Sequence, residues 1–239
     1  MNQRFLEKGY TYMDALIPSD EVEKLTILYD DLLNDKKRTA GLRSDLSGSK
    51  DGQDPSIERI TQIMRPSLVE SMLLESIAYA KATSWVKNVL GEDMELDFDM
   101  MINKAPFTNT ETPWHQDAAY WINLPDKRSA TCWIALDNVT EDNGCMWFIP
   151  KIGNEEVFPH LIPDNAGALY CEVAIDEAES IPLNAGGCTF HDGFTLHFSR
   201  GNSTSSQRRA LILNFRPTKM IELERANGMD HTGQRKVRQ

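Results

Sequence analysis

Two side chains in the stretch PWHQDAAYW, residues 113–121, could do metal chemistry: His115 and Asp117, separated by one residue. On a strand, residues i and i+2 share a face and lie roughly 6.6 Å apart. An imidazole and a carboxylate placed so can reach one ion. The pair alone is a weak signal, because His-x-Asp arises by chance in many chains, and a third ligand is needed. His160 follows a proline in a Pro-rich connection and His231 lies in a polar tail, so both read as surface positions. His191 and His197 lie in strand-like segments about 80 residues beyond the pair, where a barrel can fold either one back against it. After His197, the segment TLHFSRGNSTSSQRRALILNFRP brings Arg208 and Arg209 to the start of a very apolar strand. Either the two merely alternate in and out, both paired to some of the chain's many carboxylates, or one points inward and grips a carboxylate ligand through its planar fork.

Such residues need a scaffold, and its elements are partly readable. SDEVEKLTILYDDLLNDKKR, residues 19–38, opens on the capping residues Ser19 and Asp20, sets Val22, Leu25, Leu28 and Leu32 on one helical face, and ends in basic residues. Residues 39–57, rich in Gly, Ser and Asp without apolar periodicity, read as a loop and a candidate lid. A second helix is predicted from about Pro66 to Leu90, with Leu73, Ile77, Trp85 and Val89 inward and Gly91 as its C-cap. At MELDFDMMINK, residues 94–104, the period changes to two, as in a strand with one wet face. The later segments SATCWIALD, GCMWFIP, GALYCEVAI, GCTFHDG, FTLHFS and RRALILNFRP read as short strands, with Asn143-Gly144 as a hairpin turn.

The fold class that follows is mainly β with flanking α-helices, a double-sheet barrel or jelly roll. One domain is expected over 1–239: a helical N-terminal part, 1–92, a core at about 93–217, and a loose polar tail, 218–239. With 25 basic against 36 acidic residues, the net charge of −11 argues against nucleic-acid and anionic-membrane partners. Cys132, Cys145, Cys171 and Cys188 show no C-x-x-C pair and read as free buried thiols. No secretory signal or apolar run of membrane-spanning length is evident, and the default expectation is a cytoplasmic protein.

At this level the ordered motifs WHQD, CWIALD, NGCMWFIP and FHDGFTLHFSRGNSTSSQRRAL resemble the phytanoyl-CoA dioxygenase family of iron(II)- and 2-oxoglutarate-dependent oxygenases. FLEKGYTYMDALIPSDEVEKL and VLGEDMELDFDMMINKAP resemble that family's N-terminal portion, so the likeness covers nearly the whole chain. It implies a double-stranded β-helix, a cupin-like jelly roll, with Fe(II) held by His115, Asp117 and His197. Two histidines and one carboxylate on one face of the ion leave positions open for 2-oxoglutarate and O2. His191 becomes the surplus histidine, a support or packing residue. The resemblance places the 2-oxoglutarate-anchoring arginine at Arg208, with Arg209 as fallback, puts Trp133 in the same pocket, and offers Thr195 and Lys104 as donors to the cosubstrate.

The chemistry implied is oxidative decarboxylation of 2-oxoglutarate with release of succinate and CO2, coupled to hydroxylation of an unactivated C–H bond of a small molecule. Related halogenases replace the carboxylate ligand with a small residue, so Asp117 argues for hydroxylation, desaturation or ring formation over halogenation. Candidate substrate contacts are residues 42–60, Gln62, Tyr120 and Trp121. The competing readings are a cupin-like binding or regulatory protein without oxygen chemistry, and a non-redox zinc or manganese enzyme using the same three residues.

Overall fold

The computed structural model describes residues 2–48, 57–151, 155–163, 167–173 and 177–232. Two antiparallel sheets face each other. The larger has seven strands in the order β1 (Tyr10–Met13), β9 (Cys188–His191), β6 (Ala130–Ala135), β11 (Arg208–Pro217), β4 (Met94–Lys104), β3 (Ile60–Met64) and β2 (Arg43–Asp45). The smaller has four: β5 (Thr112–His115), β10 (His197–Ser199), β7 (Met146–Phe148) and β8 (Glu179–Ile181). This is the expected jelly roll with helices outside.

The two-residue period of β11 explains the layering. Ala210 and Ile212 face the inter-sheet core with Phe98, Trp133 and Phe148. Leu211, Leu213 and Phe215 face the opposite way, into a second core with Leu25, Tyr29, Ala82 and Val86. Those last four lie on α2 (Ser19–Asn34) and α3 (Ile77–Leu90). Each large apolar side chain fully buried this way contributes about 1.5–3 kcal/mol of transfer free energy, so a strand apolar on both faces requires two partner layers.

Several local expectations change. Pro18, not Ser19 or Asp20, occupies the N-cap of α2, and that helix stops at Asn34. Arg38 lies beyond it, tying Asp31 to Glu70. The predicted helix from Pro66 is broken into 3-10 turns at Pro66–Leu68 and Ser71–Glu75 before α3 begins. Local side-chain bonds cause the breaks: Glu70 accepts from Met72 N, and Ser76 caps α3 by accepting from Tyr79 N. The buried face of α3 is Ala78, Ala82 and Val86, a stripe of small residues that lets the helix lie close to the sheet, while Ile77 is exposed. Gly91 caps it as expected, at φ +123°.

The N-terminal part is not purely helical, because β1, β2 and β3 all join the large sheet. The expected loop 39–57 contains β2, whose Arg43 pairs with Ile63; residues 49–56 of the expected lid lie outside the described residues. Nor does β4 keep a wet face. Asp97 and Asp99 are buried, the first against Arg216 and Arg225, the second accepting from Ser67. Asn143-Gly144 does not close a hairpin, since β6 and β7 belong to different sheets; the turn carries the chain between layers. The described part of GALYCEVAI, residues 167–173, makes one isolated bridge, Tyr170 with Leu161, in place of the expected strand, and its residues 174 and 175 lie outside the described set.

The tail begins with α4 (Thr218–Ala226), docked through buried Met220 and Glu224. His231, expected at the surface, donates through Nε2 to Glu224 Oε2 at 2.7 Å and stacks on Phe98 with ring centroids 4.2 Å apart. All four cysteines are free and buried, as expected.

Candidate active site

β5 and β10 are neighbours in the small sheet, and their register sets His115 directly opposite His197. The pairing places the two rings 4.1 Å apart between centroids. Asp117 is not on the strand. β5 ends at His115, and Asp117 opens a 3-10 helix, Asp117–Tyr120, that turns its carboxylate back toward the imidazoles. Asp117 Oδ1 lies 4.0 Å from His115 Nε2 and 3.8 Å from His197 Nε2. Among the described residues these three offer ligand atoms all within 4.8 Å of one another, and all are buried or nearly so.

Each imidazole is turned by its own backbone. His115 Nδ1 lies 2.8 Å from Pro113 O and His197 Nδ1 lies 3.0 Å from Thr195 O. A carbonyl only accepts, so Nδ1 carries the proton in both rings and each Nε2 turns a lone pair toward the shared space. Burial, reinforced by the neighbouring His115 and His191, keeps the His197 pKa well below its ordinary value. Burial alone would raise the Asp117 carboxyl, but contact with His191 and the charges of the three histidines hold it well below the usual carboxylate range. Two imidazole nitrogens and one carboxylate oxygen are the set that suits iron(II) with open positions. His191 is not part of that cluster; its Nε2 sits 3.3 Å from Asp117 Oδ2, and its ring lies 4.4 Å from that of His197 between centroids.

The three residues open onto a cavity of about 570 Å³, counted to the solvent at its mouth, within the range of small-molecule sites. Arg208 and Trp133 line it, together with Ile102, Ile212 and Met100. Arg208 is 1% exposed. Its Nη2 donates to Ser199 Oγ at 3.4 Å, and its guanidinium lies 5.3 Å from the Trp133 ring centre. Nε and Nη1 have no hydrogen-bond partner among the described residues. Burial draws its pKa down to about 10, and a buried cation with idle donors is a binding site for an anion. Arg209, one residue on, points out of the sheet's other face and is held by Asp137 and Asp30 at 2.6 and 2.7 Å. Strand alternation thus separates the two arginines that the sequence left as alternatives.

Two expected cosubstrate donors are engaged elsewhere. Lys104 sits opposite Arg208 in the ladder, but its amine donates to Ser199 O, Arg200 O and Thr110 O at 3.0, 2.6 and 3.2 Å, which uses all three N–H bonds. The Thr195 hydroxyl points at Gly9 O and Asp192 Oδ1, both 2.9 Å away; only its carbonyl serves the site, through His197. Of the candidate substrate contacts, Tyr120 and Leu46 line the cavity. Trp121 instead covers Arg216, and Gln62 lies against Met100 Sδ.

Sequence reasoning passed over Gln116, whose only signal was its place between two candidate ligands. It is fully buried and points the opposite way from its neighbours. Its Nε2 donates to Glu156 O and Phe194 O, its Oε1 accepts from Phe158 N, and its backbone N–H donates to His160 Nε2 at 2.9 Å. His160 is therefore half-buried against the segment that joins His115 to Asp117 and not a free surface residue.

Comparison with known proteins agrees with this geometry. The chain is 25% identical over 225 residues to a probable alpha-ketoglutarate-dependent hypophosphite dioxygenase of Stutzerimonas stutzeri, covering 89% of this chain and 76% of that protein. It is 21% identical over 221 residues to peroxisomal phytanoyl-CoA dioxygenase of Rattus norvegicus, of which it spans 65%. Among solved structures, EvdO2 of Micromonospora carbonacea var. aurantiaca complexed with 2-oxoglutarate superposes with a TM-score of 0.72 and 27% identity, over 90% of this chain and 88% of that one. The phytanoyl-CoA dioxygenase (PhyH) family model matches residues 5–210. The chain belongs to the phytanoyl-CoA dioxygenase family and is, as a member of it, an iron(II)- and 2-oxoglutarate-dependent dioxygenase.

Proposed function

We propose that His115, Asp117 and His197 hold the ferrous ion, that Arg208 anchors the far carboxylate of 2-oxoglutarate, and that the enzyme hydroxylates an unactivated C–H bond of a small organic molecule. The observation that carries this reading is the idle guanidinium of Arg208 in the same cavity as the three ligands. A binding protein or a non-redox metalloenzyme would bear a buried, unpaired charge without using it. When bound, iron and 2-oxoglutarate with O2 supply the oxidising power, releasing succinate and CO2.

The chain's own residues orient and shield. Neutral His115 and His197 donate lone pairs, and ionised Asp117 offsets part of the ion's charge. The guanidinium fork sets the direction of the cosubstrate, against the Trp133 face. Met100, Ile102 and Ile212 dry the cavity, so the carboxylate–arginine pair forms in low dielectric, where it is strong. Elsewhere on the cavity wall, Leu46, Tyr120, Ala168 and Phe198 offer apolar and aromatic surfaces suited to a carbon-rich substrate. Asp117 occupies the position where a halide would need space, which favours oxygen insertion.

Mixing the anaerobic protein with iron(II) and 2-oxoglutarate should produce the weak visible charge-transfer band of the chelate, and admitting O2 should yield succinate. The absence of both band and succinate would refute the assignment. Mass gain of one oxygen across a panel of small molecules then identifies the substrate.

A further inference from the structure

The two oxygens of Asp117 have different surroundings. Oδ1 faces the imidazoles of His115 and His197. Oδ2 faces the large sheet, where Thr131 Oγ1 donates to it at 2.9 Å and His191 Nε2 lies at 3.3 Å. Thr131 is not there alone. The ladder sets Asn214 of β11 directly opposite Thr131 of β6, and Thr131 directly opposite His191 of β9. Directly opposed residues project to the same face about 4.5–5.5 Å apart. Asn214, Thr131 and His191 therefore form one polar row across three adjacent strands, each residue at most 3% exposed.

Hydrogen-bond directions along the row are determined. Asn214 Nδ2 donates to Thr131 Oγ1 at 2.7 Å. An amide nitrogen accepts nothing, so the single threonine proton is left for Asp117. Oδ2 is then engaged from the sheet side by a hydroxyl whose orientation is itself enforced. In a buried setting such a chain of bonds strengthens along its length.

We propose that this row positions the carboxylate ligand: Thr131, oriented by Asn214, engages Oδ2 so that Asp117 presents only Oδ1 to the ion. The inference rests on the ligand assignment proposed above. A carboxylate binding through one oxygen occupies one coordination position; binding through both would take a second, which the cosubstrate and O2 require. Thr131 and Asn214 are positioning residues that act through Asp117.

The test uses Co(II) alone as probe, titrated calorimetrically into the full-length, metal-free chain. Thr131→Val keeps the shape and removes the hydroxyl, and should weaken Co(II) binding about 10–100-fold. Thr131→Ser restores the hydroxyl and should stay within about threefold of wild type, while Asn214→Leu, which frees the hydroxyl to rotate, should weaken binding several-fold. Wild-type affinity in Thr131→Val overturns the proposal, as does equal weakness in Thr131→Ser, which would assign the effect to packing. Should Thr131→Val fail to fold, Asn214→Leu decides, and unchanged affinity there overturns the relay. A wild-type protein that binds no Co(II) would sink the ligand assignment itself, a distinguishable failure.

Discussion

Arg208 offers the sharpest separation of function from stability, because its fully buried guanidinium lacks a carboxylate partner among the described residues. Consider Arg208→Met, which keeps most of the volume and removes the charge. In complex with 2-oxoglutarate the fork is expected to make two charge-assisted hydrogen bonds, each contributing about 1.5–3 kcal/mol. Their loss, about 3–6 kcal/mol together, weakens 2-oxoglutarate binding roughly 10²–10⁴-fold. Without cosubstrate the effect reverses. The native residue then has one long bond to Ser199 and the Trp133 face to offset its desolvation, so an apolar side chain should leave the unfolding midpoint unchanged or higher. Arg209→Met should do the opposite: it breaks the pairs with Asp137 and Asp30, lowers the midpoint, and leaves 2-oxoglutarate affinity alone. Anaerobic calorimetry of 2-oxoglutarate against the iron-loaded protein measures the first quantity and thermal unfolding of the metal-free protein the second. An affinity loss below tenfold in Arg208→Met, or a midpoint several degrees lower, would refute the assignment of the idle guanidinium to the cosubstrate.

Two further outcomes follow from groups outside the metal cluster. Gln116→Ala removes the acceptor for Phe158 N–H and donors to Glu156 and Phe194, so amide exchange at Phe158 should accelerate about 10–100-fold, as for a loss of about 1.4–2.8 kcal/mol of local protection; an unchanged rate would show that segment 155–160 is held by other contacts. At the other end of the chain, burial opposes protonation of His231, yet its bonds to Asp97 and Glu224 raise its pKa above the ordinary 6.5. A histidine protonated more tightly in the folded state contributes in full below about pH 6.5 and loses that contribution as pH rises through the folded value. Asp97 is buried too, but His231, Arg216 and Arg225 hold its carboxyl below the ordinary 3.8, so its share is present above that value and fades in acid. The unfolding-midpoint gap between wild type and His231→Gln should therefore narrow from about pH 5.5 to about pH 8.5, and a gap that widens would contradict the network.

What was readable along the chain was whatever repeats with a short period or sits at a short spacing. The alternation in 94–104 and 208–217 marks β4 and β11, and the helical stripe at Leu25 and Leu32 marks α2. The three-residue His115–Asp117 motif and the eleven-residue step from His197 to Arg208 are spacings that a family resemblance can carry. Short strands with distant partners were not readable: β1 pairs with β9 nearly 180 residues later, and nothing local in Tyr10–Met13 or Arg43–Asp45 announces a sheet. Burial of Asp97 and Asp99 was hidden for the same reason, since the alternation that predicts a wet face cannot reveal that Arg216, Arg225 and Ser67 arrive to cover it.

By itself, then, the sequence determined the secondary-structure periods, the residue types able to hold a ferrous ion, and the presence of two adjacent arginines at the start of an apolar strand. Only the tertiary structure decided which arginine is idle, that Lys104 and Thr195 spend their donors on backbone and side-chain oxygens, and that Asn214, Thr131 and His191 line up behind Asp117. The physical reason is that a hydrogen-bonding group's role depends on which partner reaches it first. Those partners come from strands far apart in the chain, brought together by ladder register, which a linear pattern does not contain.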